Sequence, residues 1–267
     1  MRYALVGYGR MGRAIESAAA GRGHELVGVV DPGVGDRPGV PRLDARALRG
    51  AEVAFEFTAP GAAEENVLAL LALRVAVVCG TTGWDPSSRR VARALERFRG
   101  ALLVAPNFSL GMSVFVRVVS DCARALGRLG GYDPFVVECH HRGKADAPSG
   151  TARRLAEAVR EGSPRPLAVC EGNPRGRVAP GAIHLASVRA GHEPGVHTVG
   201  FDGEHDVITL THRSRGRSAL ALGAVLAGEW LRGRSGRRTF EEVVGELVRP
   251  SRRPARVAGR SRGGRRR

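Results

Sequence analysis

The sequence predicts an α/β protein in two parts: a parallel sheet with helices on both faces, and a smaller α+β domain with a mixed, mostly antiparallel sheet. Residues 1–105 alternate short apolar runs with helical patterns, which is typical of parallel strands joined by helices. The first apolar run opens directly onto a turn with closely spaced glycines. Residues 182–212 instead hold several apolar runs in close succession, which indicates a second and smaller sheet.

The first part begins with a strand and continues in regular alternation. Strands are predicted at residues 3–7, 25–31, 53–57, 75–79 and 101–105, and helices at residues 11–20, 62–73 and 86–98. Ligands of parallel sheets bind where the strands end at their carboxyl side. The candidate binding segments are therefore the turns that follow these strands.

After Asn107 the pattern changes to longer helices and closely spaced strands. Helices are predicted at residues 113–126 and 151–161, and strands at residues 134–141, 182–190, 196–201 and 206–212. Two last helices, at residues 218–231 and 239–247, are expected to pack back on the first part, and Thr239 and Glu242 have the spacing of a capping box. We therefore expect one domain from residues 1–107 and 218–248, a second from residues 108–217, and a tail from residues 249–267.

The overall composition is that of an ordinary globular protein. Apolar residues make up 43% of the chain and charged residues 25%, and no apolar stretch approaches the ~20 residues of a membrane helix. Because the first predicted strand starts at once, leaving no room for a secretory leader, we expect a cytoplasmic protein without membrane association. The cysteines do not have metal-site or CxxC spacing, so we expect neither a structural metal nor disulfides among Cys79, Cys122, Cys139 and Cys170.

The net charge of +16 comes in large part from the C-terminal tail. Residues 249–267 hold nine arginines and no acidic residue, which leaves +7 for residues 1–248. A segment with so few apolar residues is predicted to be disordered. An arginine-rich arm could bind nucleic acid or another anionic surface, but a solvated extension is the interpretation that we favour.

A GxGxxG turn lies between the first predicted strand and the first predicted helix. Such a turn lets a pyrophosphate approach the backbone, while the helix N-terminus stabilises its negative charge. The candidate contacts of a dinucleotide are therefore Gly7, Tyr8, Gly9, Arg10, Met11 and Gly12.

Asp31 ends the second predicted strand, about where an acid that binds the ribose of a dinucleotide is expected. Its carboxylate would accept hydrogen bonds from the ribose hydroxyls and repel a 2′-phosphate, which favours NADH over NADPH. Arg10 and Arg37 could offset that repulsion, so NADPH remains an alternative. Asp31 could also be a plain turn residue before Pro32.

Two further turns end strands on the same side of the predicted sheet. One is CGTTGW at residues 79–84, and the other is APNFS at residues 105–109. Their backbone and small polar groups could border a nicotinamide, although ordinary loop chemistry would also explain them. The candidates are Gly80, Thr81, Thr82, Ala105, Pro106, Asn107 and Phe108.

The segment ECHHRGKADAPSGTA at residues 138–152 contains Lys144, the one lysine among the 42 lysine and arginine residues. Ser149 has the sequence position of a helix N-cap, which would leave the backbone N–H groups of Gly150 and Thr151 for a carboxylate or phosphate. Arginine does not give up its proton in proteins, whereas lysine can act as an acid or a base. We therefore predict proton transfer by Lys144 rather than a chance surface lysine.

His140 and His141 precede Lys144, and such a pair could be either ordinary loop residues or metal ligands. No nearby set of Cys, His or Asp has ligand spacing, so we predict no metal there. A second cationic segment, THRSRGR at residues 211–217, ends the last strand of the small sheet. Its arginines could bind a carboxylate in bidentate fashion or could be solvated loop residues.

Together these segments resemble the 4-hydroxy-tetrahydrodipicolinate reductases, also called dihydrodipicolinate reductases, of bacterial lysine biosynthesis. The resemblance is carried by GRMG at 9–12, FTAP at 57–60, GTTG at 80–83, APNFSLG at 105–111, ECHHRGKADAPSGTA at 138–152, RAGHEPGVHTV at 189–199 and THRSRGR at 211–217. The segment at residues 138–152 is highly specific, whereas each of the others would be weak in isolation.

The resemblance implies a Rossmann-like dinucleotide-binding domain, a second domain for substrate binding and oligomerisation, NADH or NADPH as cofactor, a small dicarboxylate substrate and a homotetramer. It also implies roles for individual residues. His140 and Lys144 would be catalytic, with Lys144 as the proton donor, and the substrate would be bound by His141, Gly150, Thr151 and Arg217. The implied cofactor site comprises residues 7–12, Asp31, residues 80–82 and residues 105–108.

The implied reaction is the reduction of 4-hydroxy-tetrahydrodipicolinate to tetrahydrodipicolinate in diaminopimelate and lysine biosynthesis. Hydride would add at ring C4, and Lys144 would donate a proton to the adjacent carbon. Domain closure would bring the cofactor turns and the cationic loop together. Two alternatives remain: another small NAD(P)-dependent reductase of an amino or imino acid, and a dinucleotide sensor or nucleic-acid-binding protein that uses its tail.

Overall fold

The computed structural model describes residues 1–33 and 43–249, so Arg37 and the arginine-rich tail beyond Arg249 lie outside the described residues. In chain order the elements are β1 (Arg2–Val6), α1 (Arg10–Ala20), β2 (Glu25–Val30), α2 (Ala45–Leu48), β3 (Val53–Glu56), α3 (Pro60–Ala72), β4 (Ala76–Cys79), α4 (Arg89–Phe98), β5 (Ala101–Val104), α5 (Leu110–Leu129), β6 (Tyr132–His140), α6 (Gly150–Gly162), β7 (Ala168–Glu171), β8 (Ala182–Arg189), β9 (Val196–Gly203), β10 (Val207–Arg213), α7 (Ser218–Leu231), β11 (Gly236–Arg238) and α8 (Phe240–Leu247). Every predicted helix and strand is present, and α2, β7 and β11 are short elements that were not predicted. No helix in the described part of the chain has the length and apolar character needed to span a membrane.

The first sheet is parallel throughout, as predicted. Its strand order is β11-β5-β4-β3-β1-β2, and every neighbouring pair runs in the same direction. All residues of β3 are buried, because both faces of the sheet are covered. β11, from the C-terminal part of the described chain, pairs with β5 and forms one edge of the sheet.

Helices cover both faces of this parallel sheet. One apolar core joins α1, α7 and α8 to β1 and β3, and it includes the buried rings of Phe55 and Phe240. A second core on the opposite face joins α3 and α4 to the sheet through Leu70, Val91 and Val77. The two C-terminal helices therefore lie against the parallel sheet, although the second sheet precedes them in the chain. The domain boundaries at residues 107 and 217 stay a prediction.

The second sheet has the strand order β10-β9-β6-β8-β7. The pairs β10–β9 and β9–β6 are antiparallel, whereas the pairs β6–β8 and β8–β7 are parallel. The sheet is therefore mixed, as predicted, and its two antiparallel pairs join more residues than its two parallel pairs. β6 and β7 run in the same direction because α6 carries the chain from the end of β6 back to the start of β7.

One face of the second sheet is covered by α5 and α6, and the other is open. Leu185 and Val199 of the sheet pack against Leu155 of α6 in a continuous apolar core. On the opposite face of the same sheet, Val137 is 36% exposed and Val188 is 48% exposed. The open face therefore presents apolar side chains at the surface of this chain.

Small residues on the buried face of α7 let this helix approach the parallel sheet closely. A Cβ atom on Gly223 would lie 1.8 Å from the backbone oxygen of Phe108, and a Cβ atom on Gly228 would lie 2.8 Å from the ring of Phe55. Glycine is thus required at Gly223 by the close packing of two backbones. The same contact holds the segment that follows β5.

Gly223→Ala is expected to lower the free energy of unfolding by about 1–3 kcal/mol, because the backbone must shift to relieve the overlap. The control is Gly245→Ala in α8, where a Cβ atom would meet nothing within 4 Å. That change is expected to raise the free energy of unfolding by roughly 0.5–1 kcal/mol through helix propensity. Urea denaturation measures both values, and equal effects of the two substitutions would contradict the packing described.

Candidate active site

The turn between β1 and α1 is so tight that two of its glycines have no room for a side chain. Gly7 has a φ of +90°, and a Cβ atom there would lie 2.2 Å from the backbone oxygen of Phe57. A Cβ atom on Gly12 would lie 2.4 Å from the backbone oxygen of Gly7. The Gly7 N–H donates to Val30 O at 2.9 Å, so the turn is fixed between the ends of β2 and β3.

The third glycine of this turn faces open space. Gly9 is the N-cap residue of α1, no side chain caps the helix, and a Cβ atom on Gly9 would meet nothing within 4 Å. Arg10 is exposed at the start of the helix, next to the half-buried Met11. An open cradle of backbone N–H groups at a helix N-terminus fits the pyrophosphate of a dinucleotide.

Asp31 connects the glycine turn to the end of β2. Its Oδ2 atom accepts a hydrogen bond from the Tyr8 N–H at 2.6 Å, and its Oδ1 atom accepts one from the Gly33 N–H at 2.7 Å. Asp31 is therefore both a turn residue and a direct neighbour of the glycine turn. A carboxylate has about four acceptor positions, so lone pairs remain for the hydroxyls of a ribose.

A buried glutamate, which was not predicted, joins the turns after β3 and β4. Glu56 is fully buried and accepts hydrogen bonds from three side chains: the Thr58 hydroxyl, the Asn66 amide at 3.2 Å and the Cys79 thiol at 3.1 Å. Burial raises the pKa of the Cys79 thiol, and the Glu56 charge acts in the same direction. Thr81 Oγ1 accepts a hydrogen bond from the Thr58 N–H at 2.8 Å, which holds the two turns together.

The turn after β5 continues the same edge of the parallel sheet. The Ala105 N–H donates to Cys79 O at 3.1 Å, and Asn107 Oδ1 accepts a hydrogen bond from the Ser109 N–H at 2.8 Å. The buried ring of Phe108 meets the Phe240 ring at 5.2 Å between centroids. The carboxyl ends of β3, β4 and β5 thus form one connected surface.

The loop after β6 ends in a capped helix N-terminus. Ser149 is the N-cap residue of α6, as predicted, and its Oγ atom accepts a hydrogen bond from the Ala152 N–H at 3.1 Å. This cap uses neither the N–H of Gly150 nor that of Thr151. An anion at this end of α6 would meet backbone donors and the positive end of the helix dipole.

One cavity of about 600 Å³ brings the two groups of predicted residues together. Its walls come from the turns of the parallel sheet, through Thr82, Ala105, Pro106 and Asn107, and from the loop and helix of the second sheet, through His140, Lys144, Gly150 and Thr151. Thr81 and Phe108 are buried, and a Cβ atom on Gly80 would lie 2.0 Å from the Phe57 ring. Gly80, Thr81 and Phe108 thus support the turns but do not line this cavity.

The Lys144 side chain lines this cavity and forms an ion pair with Asp146. Its Nζ atom is 2.5 Å from Asp146 Oδ1, and 25% of the side chain is exposed. The hydrogen bond from Lys144 lowers the pKa of the Asp146 carboxyl, and the Gly150 N–H acts in the same direction. Asp146 therefore contacts the cation and the backbone donor with which a bound carboxylate could pair.

His140 is buried at the end of β6, with a neighbour at each ring nitrogen. Its Nδ1 atom is 3.1 Å from Glu138 Oε2, and a Cβ atom on Gly195 would lie 2.8 Å from its Nε2 atom. Burial lowers the pKa of the His140 imidazole; the Glu138 charge opposes this effect, whereas the charges of Lys144 and Arg189 add to it. The ring is therefore neutral at neutral pH.

A second buried histidine, His197 on β9, was not predicted and lies against the first. The two imidazole rings meet edge to face at 5.0 Å between centroids, and His197 Nε2 is 3.6 Å from Glu138 Oε2. Glu138, His140 and His197 hold ligand atoms close enough for one metal ion. The Arg189 guanidinium, 2.8 Å from Glu138 Oε1, already places a cation there. The predicted absence of a metal stays a prediction.

His141 lies at the surface of the loop and is not among the described residues that line the cavity. Its main chain nevertheless shapes the loop. The His141 N–H donates to Glu193 O at 2.8 Å, and its carbonyl oxygen accepts a hydrogen bond from the Lys144 N–H at 3.1 Å. Substrate contact by the His141 side chain stays a prediction.

Part of the segment at residues 211–217 borders a neighbouring cavity of about 520 Å³. Arg213 and Arg215 line it, whereas Arg217 is exposed at the start of α7 and is outside the described lining of both cavities. Arg154 lines the larger cavity and was not predicted. Its position four residues after Gly150 places both on one face of α6, a signal that the helical periodicity contained.

Two family models match the chain in succession. The model of the dihydrodipicolinate reductase N-terminus matches residues 1–108, and the model of the C-terminus of the same enzyme matches residues 111–244. The two matches take in nearly all of the described residues. They also include every residue that lines the larger cavity.

Curated relatives and a solved structure give the same result. The 4-hydroxy-tetrahydrodipicolinate reductase of Christiangramia forsetii is 32% identical over 93% of this chain and 100% of that protein. The enzyme of the same name from Thiobacillus denitrificans is 38% identical over 92% of this chain and 98% of that protein. The dipicolinate-bound dihydrodipicolinate reductase of Paenisporosarcina sp. TG-14 is 25% identical, with a TM-score of 0.73 over 91% of this chain and 98% of that one.

The buried His197 is expected to make the protein lose stability on mild acidification. Burial, with the charge of His140 acting in the same direction, lowers the pKa of His197 to about 4. Since the unfolded imidazole titrates near pH ~6.5, the folded state binds fewer protons between these values, and its stability falls as the pH decreases through this window. The loss due to His197 is on the order of 3 kcal/mol.

Urea denaturation of the wild type and of His197→Gln, at several pH values across this window, measures the effect. The variant is expected to lose less free energy of unfolding on acidification than the wild type. His205→Gln is the control, because it removes a histidine that is exposed in the folded protein. An equal loss in the wild type and in His197→Gln would contradict the assigned burial cost.

Proposed function

Because the chain belongs to the dihydrodipicolinate reductase family, we propose that it reduces 4-hydroxy-tetrahydrodipicolinate to tetrahydrodipicolinate with NADH or NADPH. The observation that carries this proposal is the shared cavity. On one side it has the turns that border a dinucleotide site, and on the other it has Lys144 and the N-terminus of α6. A hydride donor and a proton donor can therefore act on one bound ring.

The proposed substrate carries two carboxylates that flank a ring nitrogen. Gly150 and Thr151 offer backbone N–H groups to one carboxylate, and Lys144 and Arg154 add positive charge beside them. A carboxylate bound there would replace Asp146 as the anion next to Lys144. This exchange keeps the lysine paired with an anion, which favours its charged form and thus its ability to donate a proton.

The proposed reaction adds a hydride and a proton across one carbon–carbon double bond. Loss of the 4-hydroxyl group as water gives a ring in which the C4–C5 double bond is conjugated with the imine. The reduced nicotinamide, when bound at the glycine turn, would supply the hydride that adds to C4. The displaced electron pair moves toward the ring nitrogen, and a proton added at C5 restores the imine.

Lys144 is the proposed donor of the proton to C5. Its ammonium group can give up a proton, which the guanidinium groups around the cavity do not do. His140 lines the same cavity, and burial keeps its ring neutral, so we assign it as the partner of Lys144 in this transfer. General acid catalysis of this kind contributes about 100- to 10,000-fold to a rate.

Asp31 supports NADH as the preferred cofactor. Its carboxylate lies at the glycine turn and keeps lone pairs for ribose hydroxyls, while its charge opposes a 2′-phosphate. The exposed Arg10 beside the turn could reduce this opposition, so NADPH remains the alternative. We place the preference with NADH.

For the assembly we propose a homotetramer that buries the open face of the second sheet. Val137 and Val188 on that face are partly exposed in the single chain. Contiguous apolar surface of this kind commonly marks a protein–protein contact. The cytoplasm stays the compartment that we expect.

The proposed function is tested by oxidation of NADH and of NADPH by the purified full chain with freshly generated 4-hydroxy-tetrahydrodipicolinate. We expect oxidation that depends on this substrate and a higher kcat/KM with NADH. Oxidation of neither cofactor would overturn the proposal. Tight dinucleotide binding without turnover would instead favour a dinucleotide sensor.

Lys144→Ala and Lys144→Arg are both expected to lower kcat by about 100- to 10,000-fold, because neither leaves a side chain that can donate the proton. Cofactor affinity, measured by fluorescence titration of NADH, should be nearly unchanged. The matched control is Arg142→Ala, which removes an exposed cation from the same loop. Wild-type kcat in Lys144→Arg would exclude Lys144 as the donor.

A further inference from the structure

Glu138 is the most completely buried charged group beside the cavity, and it has no role in the reaction proposed above. It lies on β6, two residues before His140, and its side chain is fully buried. Its Oε1 atom accepts hydrogen bonds from three donors at 2.8 Å each: the Ser149 N–H, the Ser187 hydroxyl and the Arg189 guanidinium. Its Oε2 atom accepts one from the Ser149 hydroxyl and lies 3.1 Å from His140 Nδ1.

These contacts keep the Glu138 side chain ionised although it is out of water. Burial by itself would raise the pKa of the carboxyl, but the hydrogen bonds from Ser149, Arg189 and Ser187 outweigh this effect and lower the pKa to about 2. Glu138 is thus an acceptor at both oxygens at neutral pH. The groups that face it must then present hydrogens.

We propose that Glu138 is a positioning residue, which fixes the His140 tautomer with its hydrogen on Nδ1 and turns the Ser149 hydroxyl away from the anion site at the start of α6. This inference rests on the proposed function for its kinetic consequence. Its structural content, the tautomer and the hydroxyl direction, does not depend on which substrate is reduced.

The tautomer follows from the surroundings of the ring. Nδ1 is buried and makes no hydrogen bond in this structure, and the acceptor nearest to it among the contacts described is Glu138 Oε2 at 3.1 Å. Catalytic hydrogen bonds are often long or poorly aligned before substrate binds. A hydrogen on Nδ1 meets a carboxylate, whereas a bare Nδ1 lone pair would meet a negative charge. The neutral ring therefore leaves Nε2, at the Gly195 side, as its proton acceptor.

The direction of the single hydrogen of the Ser149 hydroxyl decides which donors remain for an anion at the start of α6. That hydrogen points at Glu138 Oε2, while a lone pair of the same oxygen accepts the Ala152 N–H. The hydroxyl hydrogen is thereby used inside the protein, and His197 Nε2 lies 3.5 Å from the same oxygen. The N–H groups of Gly150 and Thr151 are then the donors that a substrate carboxylate meets.

Glu138→Gln is the informative substitution, because it has nearly the same shape and reverses only the contacts of Oε2, which are those with the Ser149 hydroxyl and with His140 Nδ1. Three donors face Oε1, so the amide oxygen is expected to stay there and the NH2 group to take the Oε2 position. The NH2 group would then face His140 Nδ1, which must become an acceptor. The His140 hydrogen is expected to move to Nε2.

The test combines 15N NMR of the histidine rings with kinetics. In the wild type, His140, identified by its missing signals in His140→Gln, is expected to carry its hydrogen on Nδ1, and in Glu138→Gln on Nε2. We expect kcat to fall at least about 10- to 100-fold in Glu138→Gln, the range for loss of a carboxylate that orients a metal-bound histidine, with unchanged affinity for NADH.

Ser88→Ala is the stability control, since Ser88 caps α4 through the Val91 N–H and lines neither cavity described here. Its loss is expected to cost about 1 kcal/mol of stability without lowering kcat. A wild-type hydrogen on Nε2, or the same tautomer in both proteins, would overturn the inference. So would a kcat in Glu138→Gln equal to that of Ser88→Ala. If Glu138→Gln does not fold, the wild-type tautomer by itself decides.

The two proposals can fail separately. A wild type that does not oxidise either cofactor with the substrate defeats the proposed function, while the tautomer comparison still tests Glu138. An active wild type with an unchanged tautomer in Glu138→Gln defeats only the inference about Glu138.

Discussion

The proposed substrate half of the site depends on one buried negative charge. Glu138 accepts hydrogen bonds from the N-cap residue of α6 and from Ser187 and Arg189 of β8. It also contacts His140 on its own strand. A carboxylate without these donors would be too costly to bury. β6, the start of α6 and β8 must therefore be correctly placed before the cavity can form. The same contacts thus determine both the stability of this region and the geometry of the site.

The cofactor half is organised by a similar principle with different parts. Glu56, also fully buried, ties together the turns after β3 and β4, and backbone contacts at Gly7 and Gly12 hold the turn after β1. The packing of α7 onto Phe108 then fixes the turn after β5. Both halves are thus preformed by interior contacts, which leaves the partly exposed Lys144–Asp146 pair as the part of the site that is free to exchange partners.

Much of this architecture could be predicted from local sequence patterns. The helices and the longer strands follow from apolar periodicity, and Lys144, Gly150 and Thr151 stood out because of an unusual residue type beside a recognisable helix start. Elements such as β7 and β11 exist only through pairing with distant strands, so no local pattern indicates them. Glu56, Glu138 and His197 were not predicted, because their roles depend on burial and on partners far along the chain. Arg217 lies outside the described walls of both cavities, so its contact with the substrate stays a prediction.

The central claim is that one cavity delivers a hydride from the cofactor and a proton from Lys144 to adjacent ring carbons. Isotope labelling tests it most directly. With NADH deuterated at its transferable position, the account predicts deuterium at C4 of the tetrahydrodipicolinate formed; with ordinary NADH in heavy water, it predicts deuterium at C5. A product without cofactor-derived deuterium at C4 would contradict the account.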